Sequence, residues 1–393
     1  MYRSAVAALI ALSTCSPATA QSSDAALTLS LQKALAQYIA TRAKPEHISA
    51  ASLSIGLKGS EKNINLAAGT TKYPNVGAKV TPADLFEIGS ITKSFTSVAI
   101  LHLETAEKLT IEDKLGNWLP QYPAWKDVTI HRLLDMTSPI PGYDNQPSIA
   151  EIMGNDPSHR FTPQELVASA YPYNGKPEPV SGWTYSNTNY ILAQMIVEKA
   201  GGKPYADVVR ELFDQVGLKN SYYERNLYPA SIMDRMVSGY FFSHDPINEP
   251  LAPLLGKDVK SDSVSWMQGA GGIVSSMEDV SHWARALYEG PLLADKQRSE
   301  LMMLVSDKTG EPISGTSKEH PSAFGLGVGA GFRPVFGAYW YYQGMTLGYR
   351  VLYAYFHGAV IVVGLNSQPD EKQNHNGALL EQVYGVLHKA GKI

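Results

Sequence analysis

Apolar positions recur along the chain with more than one spacing. Over residues 25–43, as in "SLQKALAQYIATR", they fall three and four apart, which predicts an amphipathic helix. Ala50–Leu57 and Asn63–Ala68 are apolar stretches of strand length, close enough to pair as a hairpin. Residues 91–103, "ITKSFTSVAILHL", are apolar on most faces of a helix, the mark of a core helix rather than a surface one. From Ile130 to Trp266 helical patterns alternate with loops rich in Pro, Gly and Asn: "SPIPGYDNQPS", "YPYNGKPEPVSGW" and "HDPINEPLAPL". After Ala270 strand patterns return in "AFGLGVG", "YWYYQG", "YRVLYAYF" and "AVIVVGL", and an amphipathic helix over Ala378–Lys389 closes the chain.

Strands at both chain ends predict an α+β fold, with one antiparallel sheet built from both ends and flanked by helices. The sheet domain is expected over 24–129 and 267–393, with a mostly helical inserted domain over 130–266. The cleft between the two parts is the expected site.

Composition narrows the function classes. The 393 residues, 44% hydrophobic and 18% charged, suffice for a large core. A net charge of −4, a pI near 6.2 and no basic cluster exclude the electrostatic footprint of a nucleic-acid or anionic-membrane partner. The opening "MYRSAVAALIALSTCSPATA" has Arg3, a short apolar stretch and an Ala18-Thr19-Ala20 cleavage pattern, so residues 1–20 are expected to be a signal peptide. A periplasmic or secreted protein follows. The "LSTC" segment also resembles a lipobox, which leaves a lipid-anchored form as the alternative. Cys15, the one cysteine, lies inside this segment, so the mature chain would have no disulfide. The longest later apolar run, Ala359–Leu365, has strand length, and no integral membrane segment is expected.

Candidate chemistry starts at "GSITK". Ser90 and Lys93 are three apart at the start of the core helix, so they share a face. A serine hydroxyl needs a base within reach and donors for the oxyanion that follows attack, and a helix start offers free N–H groups. Ser30 and Lys33 have the same spacing, but their helix is amphipathic and its polar face needs no explanation. A lysine in a buried helix is costly unless it is paired or used. The second element is "GWTYSNTNY", where Tyr185 and Asn187, two apart in an extended segment, project toward one cleft. Tyr73 and Asn75 repeat that spacing without a helix behind them. Trp183 and the aromatic run at 339–342 are candidates for pocket lining, against the plainer reading of core aromatics. There is no G-x-S-x-G elbow and no H-E-x-x-H, and His131 reads as a structural histidine. No metal or cofactor is expected.

In order along the chain, "LFEIGSITKSFTSVAILHLETAEKLTIEDKLGNWLP", "VTIHRLLDMTSPIPGY", "YSNTNYILAQMIVEKAGGK", "GLKNSYY", "GAGGIVSSMEDV" and the final strand pair resemble the penicillin-recognising serine hydrolases. That group comprises class C β-lactamases, serine DD-peptidases and family VIII carboxylesterases. The resemblance implies Ser90 as acylated nucleophile, Lys93 as its partner, Tyr185 as proton shuttle and Asn187 as a contact of substrate and Lys93. It puts the third motif, Lys-Thr-Gly or His-x-Gly in the family, at Tyr342-Gln343-Gly344, where the cation is gone. The N–H groups of Ser90 and Met345 would form the oxyanion hole.

The expected function is an acyl-enzyme serine hydrolase of small ester or amide substrates, of esterase or D-peptidase type and weak on β-lactams. Two alternatives stand beside it. One is an efficient class C-like β-lactamase or DD-carboxypeptidase with a relocated anion site, for which Arg350 is the candidate if it folds back into the cleft rather than lying on the surface. The other is a non-catalytic binding protein on the same fold.

Overall fold

The computed structural model describes residues 17–172 and 182–393, with side chains from Asp24 onward. The segment expected as a signal peptide lies almost wholly outside the described residues, as does most of the Pro/Gly-rich loop ahead of Tyr185. Among the described residues no helix is long and apolar enough to cross a membrane.

Three N-terminal strands, β1 (Ala50–Gly56), β2 (Ile64–Lys72) and β3 (Val76–Lys79), share one sheet with seven from the C-terminal part. These are β4 (Leu304–Ser306), β5 (Pro312–Ile313), β6 (Ser322–Phe324), β7 (Gly329–Arg333), β8 (Gly337–Met345), β9 (Arg350–Phe356) and β10 (Ala359–Leu365). The order across the ten-stranded sheet is β3-β2-β1-β10-β9-β8-β7-β6-β4-β5, and its pairings are antiparallel. The seam between the two chain ends is β1 on β10, with Ala51 opposite Leu365 and Ile55 opposite Ile361.

Five helices frame this sheet and the site: α1 (Pro17–Glu46), α2 (Thr92–Thr105), α3 (Asn187–Gly201), α4 (Met277–Tyr288) and α5 (Asn376–Lys389). Strand β10 is buried along its whole length, which is why it reads as a continuous apolar run. Because successive side chains alternate faces, Ile361, Val363 and Leu365 pack with Leu31 and Leu35 of α1 and with Leu379 and Val383 of α5. Val360 and Val362 point the other way, into the core that holds Val280 and Trp283 of α4. The amphipathic helices read at the two chain ends thus cover one face of the sheet, and the site elements lie on the other.

One strand reading changes and one small sheet is added. "AFGLGVG" is not one strand but two, β6 and β7, joined by a turn. That turn presses so close to α2 that a Cβ on Gly327 would lie 2.6 Å from Ser97 Oγ. A small sheet pairs Phe86–Glu87 with Ile273–Ser275 and the latter with Ser221–Tyr223. Its members are too short to show any period.

Arg350 is neither a surface arginine nor a cleft cation. It is fully buried on β9, where Nη1 is 2.8 Å from Glu46 Oε2 and 2.8 Å from Asn374 Oδ1, and Nε donates to the Ser367 carbonyl at 2.7 Å. Glu46, equally buried, is also held by Arg42 and by the Tyr38 hydroxyl. The pair ties the end of α1 to the segment entering α5. Removing one partner of a buried ion pair leaves an uncompensated charge, so Arg350→Ala is expected to lower stability by about 3–5 kcal/mol. Urea unfolding checks this, and a change near zero would mean that Arg42 alone compensates Glu46.

Candidate active site

Ser90 sits in a 3₁₀ turn, Gly89–Ile91, that runs directly into α2. Its side chain caps no helix N–H, so the plainest role for a serine at a helix start is not the one it plays. Upstream, Glu87 pairs with Val274, which pins the turn to the small sheet. Downstream on the other side, the end of β8 lies against the same turn, backbone on backbone. A Cβ on Gly344 would lie 1.8 Å from the Ile88 carbonyl oxygen and 3.1 Å from Ser90 N, and one on Gly89, at φ +50°, would lie 2.8 Å from Met345 N. Only glycine fits at either place, and the contact brings the backbone at Met345 beside that at Ser90.

Lys93 is fully buried one turn on. Its Nζ is 3.0 Å from Ser90 Oγ, donates to the Ala270 carbonyl at 2.7 Å, and lies 4.9 Å from the centroid of the Tyr185 ring. The turn that carries Ala270 is itself held. Gly269 N donates to Gln194 Oε1 of α3 at 2.7 Å, and Gly269 O accepts from Thr96 Oγ1 of α2 at 2.7 Å. Helix α2 is clamped to α4, with Phe95 stacked on Trp283 at 3.6 Å between centroids and Trp283 Nε1 donating to Ser94 Oγ at 2.8 Å. The Lys93 side chain is therefore desolvated, with Nζ in contact with two oxygens and a ring face, held rigidly beside the hydroxyl.

Tyr185, from the segment entering α3, donates its hydroxyl to Ser90 Oγ at 2.7 Å. Ser90 Oγ thus lies within hydrogen-bond reach of both Lys93 and Tyr185, the three residues that the motifs singled out. The other expected site residues are placed differently. Tyr342, expected to face substrate, is 5% exposed and lies behind Tyr185, with the two hydroxyls 3.3 Å apart. Burial first, and then the neighbouring Tyr185, push its phenol well above the ordinary range, so it stays neutral. Strand alternation turns Gln343 and Met345 to the cleft and buries Tyr342 and Gly344. The Asn187 amide donates to Asp144 Oδ2 at 2.8 Å, and its side chain lines the cleft. Trp183 packs on Phe324, which also meets the Tyr185 and Tyr342 rings, and the indole that lines the Ser90 cleft is Trp266.

The cleft over Ser90 has a volume of about 470 Å³. Apolar walls come from Ile149, Met153, Leu251 and Leu347, and polar groups from Tyr185, Asn187, Asn248 and Gln343. A larger cavity of about 730 Å³ adjoins it across Gln343 and Met345 but touches neither Ser90 nor Tyr185, so the smaller one is where the chemistry lies.

Two carboxyls near the site carry no signal in the chain. Asp144, in "PGYDN", looks like a turn aspartate, yet it lines the cleft. Glu87, in "LFEIG", is buried three residues before Ser90. Burial, only partly offset by the Thr346 hydroxyl, pushes its carboxyl up to about 8, so it is neutral at physiological pH.

Residues 36–384 match the Beta-lactamase family. The chain is similar to Penicillin-binding protein 4* of Bacillus subtilis, 31% identical over 234 residues that make up 58% of this chain and 50% of the relative. The Staphylococcus aureus protein flp matches at 26% over 68% of this chain and 51% of its own length. The chain thus spans about half the length of these relatives. Its fold resembles that of a D-amino acid amidase from Ochrobactrum anthropi, with TM-score 0.77 and 23% identity over 92% of this chain and 99% of that one. It also resembles a D-stereospecific amidohydrolase from Streptomyces sp., with TM-score 0.70 and 24% identity over 88% and 96%. A family match across nearly the whole described chain, on a sheet assembled from both chain ends, means that the chain belongs to the Beta-lactamase family of penicillin-recognising serine hydrolases.

Proposed function

We propose that the chain is an exported serine hydrolase that forms an acyl-enzyme at Ser90 from small ester or amide substrates and turns over β-lactams weakly. The observation that carries this reading is the double contact on Ser90 Oγ, from Lys93 Nζ at 3.0 Å and Tyr185 OH at 2.7 Å, beneath a cleft with no Lys, Arg or His in its lining among the described residues. In this reading the Lys93–Tyr185 pair, with Lys93 as the free amine, takes the hydroxyl proton as Oγ attacks the carbonyl carbon. The N–H groups of Ser90 and Met345 receive the oxyanion, and Tyr185 returns the proton to the departing alcohol or amine. Water, deprotonated through the same pair, then attacks the acyl carbon and releases Ser90. Export is supported by the Met1–Ala20 pattern.

Tyr342 bears on the substrate. It stands where relatives carry a cation, and it is a buried neutral phenol. A substrate carboxylate would lose the charge-assisted bond, roughly twice as strong as a neutral one, whereas a neutral ester would lose nothing. p-Nitrophenyl butyrate is therefore expected to be hydrolysed with a kcat/KM at least about tenfold above that for benzylpenicillin. Efficient penicillin turnover would overturn the ester-or-amide preference. The D-amino acid amidase and the D-stereospecific amidohydrolase named above keep the amide arm of the reading beside the ester arm.

A further inference from the structure

The nucleophile turn is preceded by an acid that the chemistry described so far does not use. Glu87 lies three residues before Ser90, 5% exposed, on the two-residue strand paired with Val274. The next residue, Ile88, is the one whose carbonyl oxygen meets the backbone of Gly344, so Glu87 stands at the seam between the nucleophile turn and the end of β8. Across that seam is Thr346, buried and adjacent to Met345, and its hydroxyl donates to the Glu87 carboxyl. The same Thr346 oxygen accepts from Gly348 N at 3.4 Å, while Thr346 N donates to the Tyr349 carbonyl at 2.9 Å, which closes the turn from β8 to β9. No cation answers this carboxyl among the described residues. The groups that face it are Asp262, whose Oδ2 is buried without a partner and which has Asp258 behind it, and the phenols of Tyr228 and Tyr349. Burial first, and then Asp262, keep it uncharged at neutral pH against the Thr346 hydroxyl. A group needed only to accept that one hydrogen bond would be cheaper to bury as glutamine, which has no proton to hold.

Resting on the oxyanion hole of the acyl-enzyme reading above, we propose that Glu87 is the positioning residue of that hole and works as the neutral acid. It holds Thr346, and through it the N–H of Met345, against the turn that carries Ser90. As a carboxylate it would set a negative charge behind the place where the oxyanion forms, and in a desolvated site the two charges oppose each other strongly. One proton on Glu87 therefore gates the hole. Turnover falls on the alkaline side when that proton leaves to solvent.

The test is kcat/KM for p-nitrophenyl butyrate from pH 6 to 9.5, with circular dichroism recorded at each pH. Because the carboxyl is pushed up to about 8, the wild type is expected to be about tenfold less active at pH 9 than at pH 7 with its dichroism unchanged. Glu87→Gln keeps a neutral acceptor of the same length, so its rate at pH 9 is expected to stay within about twofold of its own rate at pH 7. The Lys93–Tyr185 pair titrates as well, but Glu87→Gln leaves it in place, and a limb that belongs to the pair would persist in the variant. Glu87→Leu leaves the Thr346 hydroxyl without its acceptor and is expected to lower kcat at pH 7 by about tenfold with KM within about threefold, since the hole acts on the transition state rather than on bound substrate. An alkaline fall with the same midpoint in Glu87→Gln overturns the proposal, as does a wild-type rate that holds to pH 9 or a fall that tracks loss of dichroism. A Glu87→Leu change carried by KM instead of kcat also overturns it. A wild type with neither turnover nor fluorophosphonate label at any pH overturns the acyl-enzyme reading itself, and this inference with it.

Discussion

Ser90→Ala is expected to abolish fluorophosphonate labelling and to lower kcat/KM for p-nitrophenyl butyrate by at least ~10⁴-fold, the range seen when a catalytic nucleophile is removed. The fold should survive. Ser90 caps no helix, and the packing that fixes α2 runs through Phe95, Ser94 and Trp283 rather than through the Ser90 hydroxyl. Circular dichroism and an unchanged melting temperature would show that the loss is chemical. Mass spectrometry of the labelled wild type locates the adduct. Label on Ser30, in the exposed part of α1, or undiminished turnover in Ser90→Ala would falsify the assignment.

The next largest effect is expected at the pair that touches Ser90 Oγ. Lys93→Ala and Tyr185→Phe should each slow acylation by ~10²–10⁴-fold, the usual contribution of a positioned proton acceptor. The two sit on one oxygen, 3.0 Å and 2.7 Å away, and Nζ lies 4.9 Å from the Tyr185 ring centroid, so they share a single proton path. Once the path is broken at one residue the other has little left to contribute, and the double variant should lose far less than the product of the single losses. Single-turnover rates with an activated ester measure this directly. Strict additivity would show two independent proton carriers. Lys93→Ala also leaves the Ala270 carbonyl without its donor, so part of its loss is expected in stability. Tyr185→Phe, which removes one hydroxyl from a part-exposed ring, isolates the chemical share.

What could be read from the chain alone follows from how far each signal reaches. Amphipathic spacing in α1 and α5 and the unbroken apolar run of β10 are local patterns, set by which face of one element meets the core, and they were enough to place strands from both chain ends in one antiparallel sheet. The Ser90–Lys93 pair was legible for the same reason. A lysine inside a helix that is apolar on most faces is anomalous within its own few residues, and the explanation lies one helical turn away. The resemblance marked Gly344 only as the glycine of the third motif, and only the approach of β8 to the nucleophile turn shows that a Cβ there or on Gly89 would strike backbone.

The remaining decisions belong to contacts between residues far apart in sequence. Arg350 is buried because Glu46, 304 positions away, meets it across the end of α1. Tyr342 faces the core and Gln343 the cleft because the register of β8 on β9 sets which side of the strand turns inward, and a one-residue slip would reverse them. Asp144 is a turn aspartate to any local reading. Asn187 and the fold of the Pro141–Asn145 loop carry it to the cleft lining. Local patterning determined which elements form and which hydroxyl has a lysine beside it. The sign of the charge facing a substrate depends on desolvation and on partners brought from other parts of the chain, and those exist only once the tertiary structure has closed around the cleft.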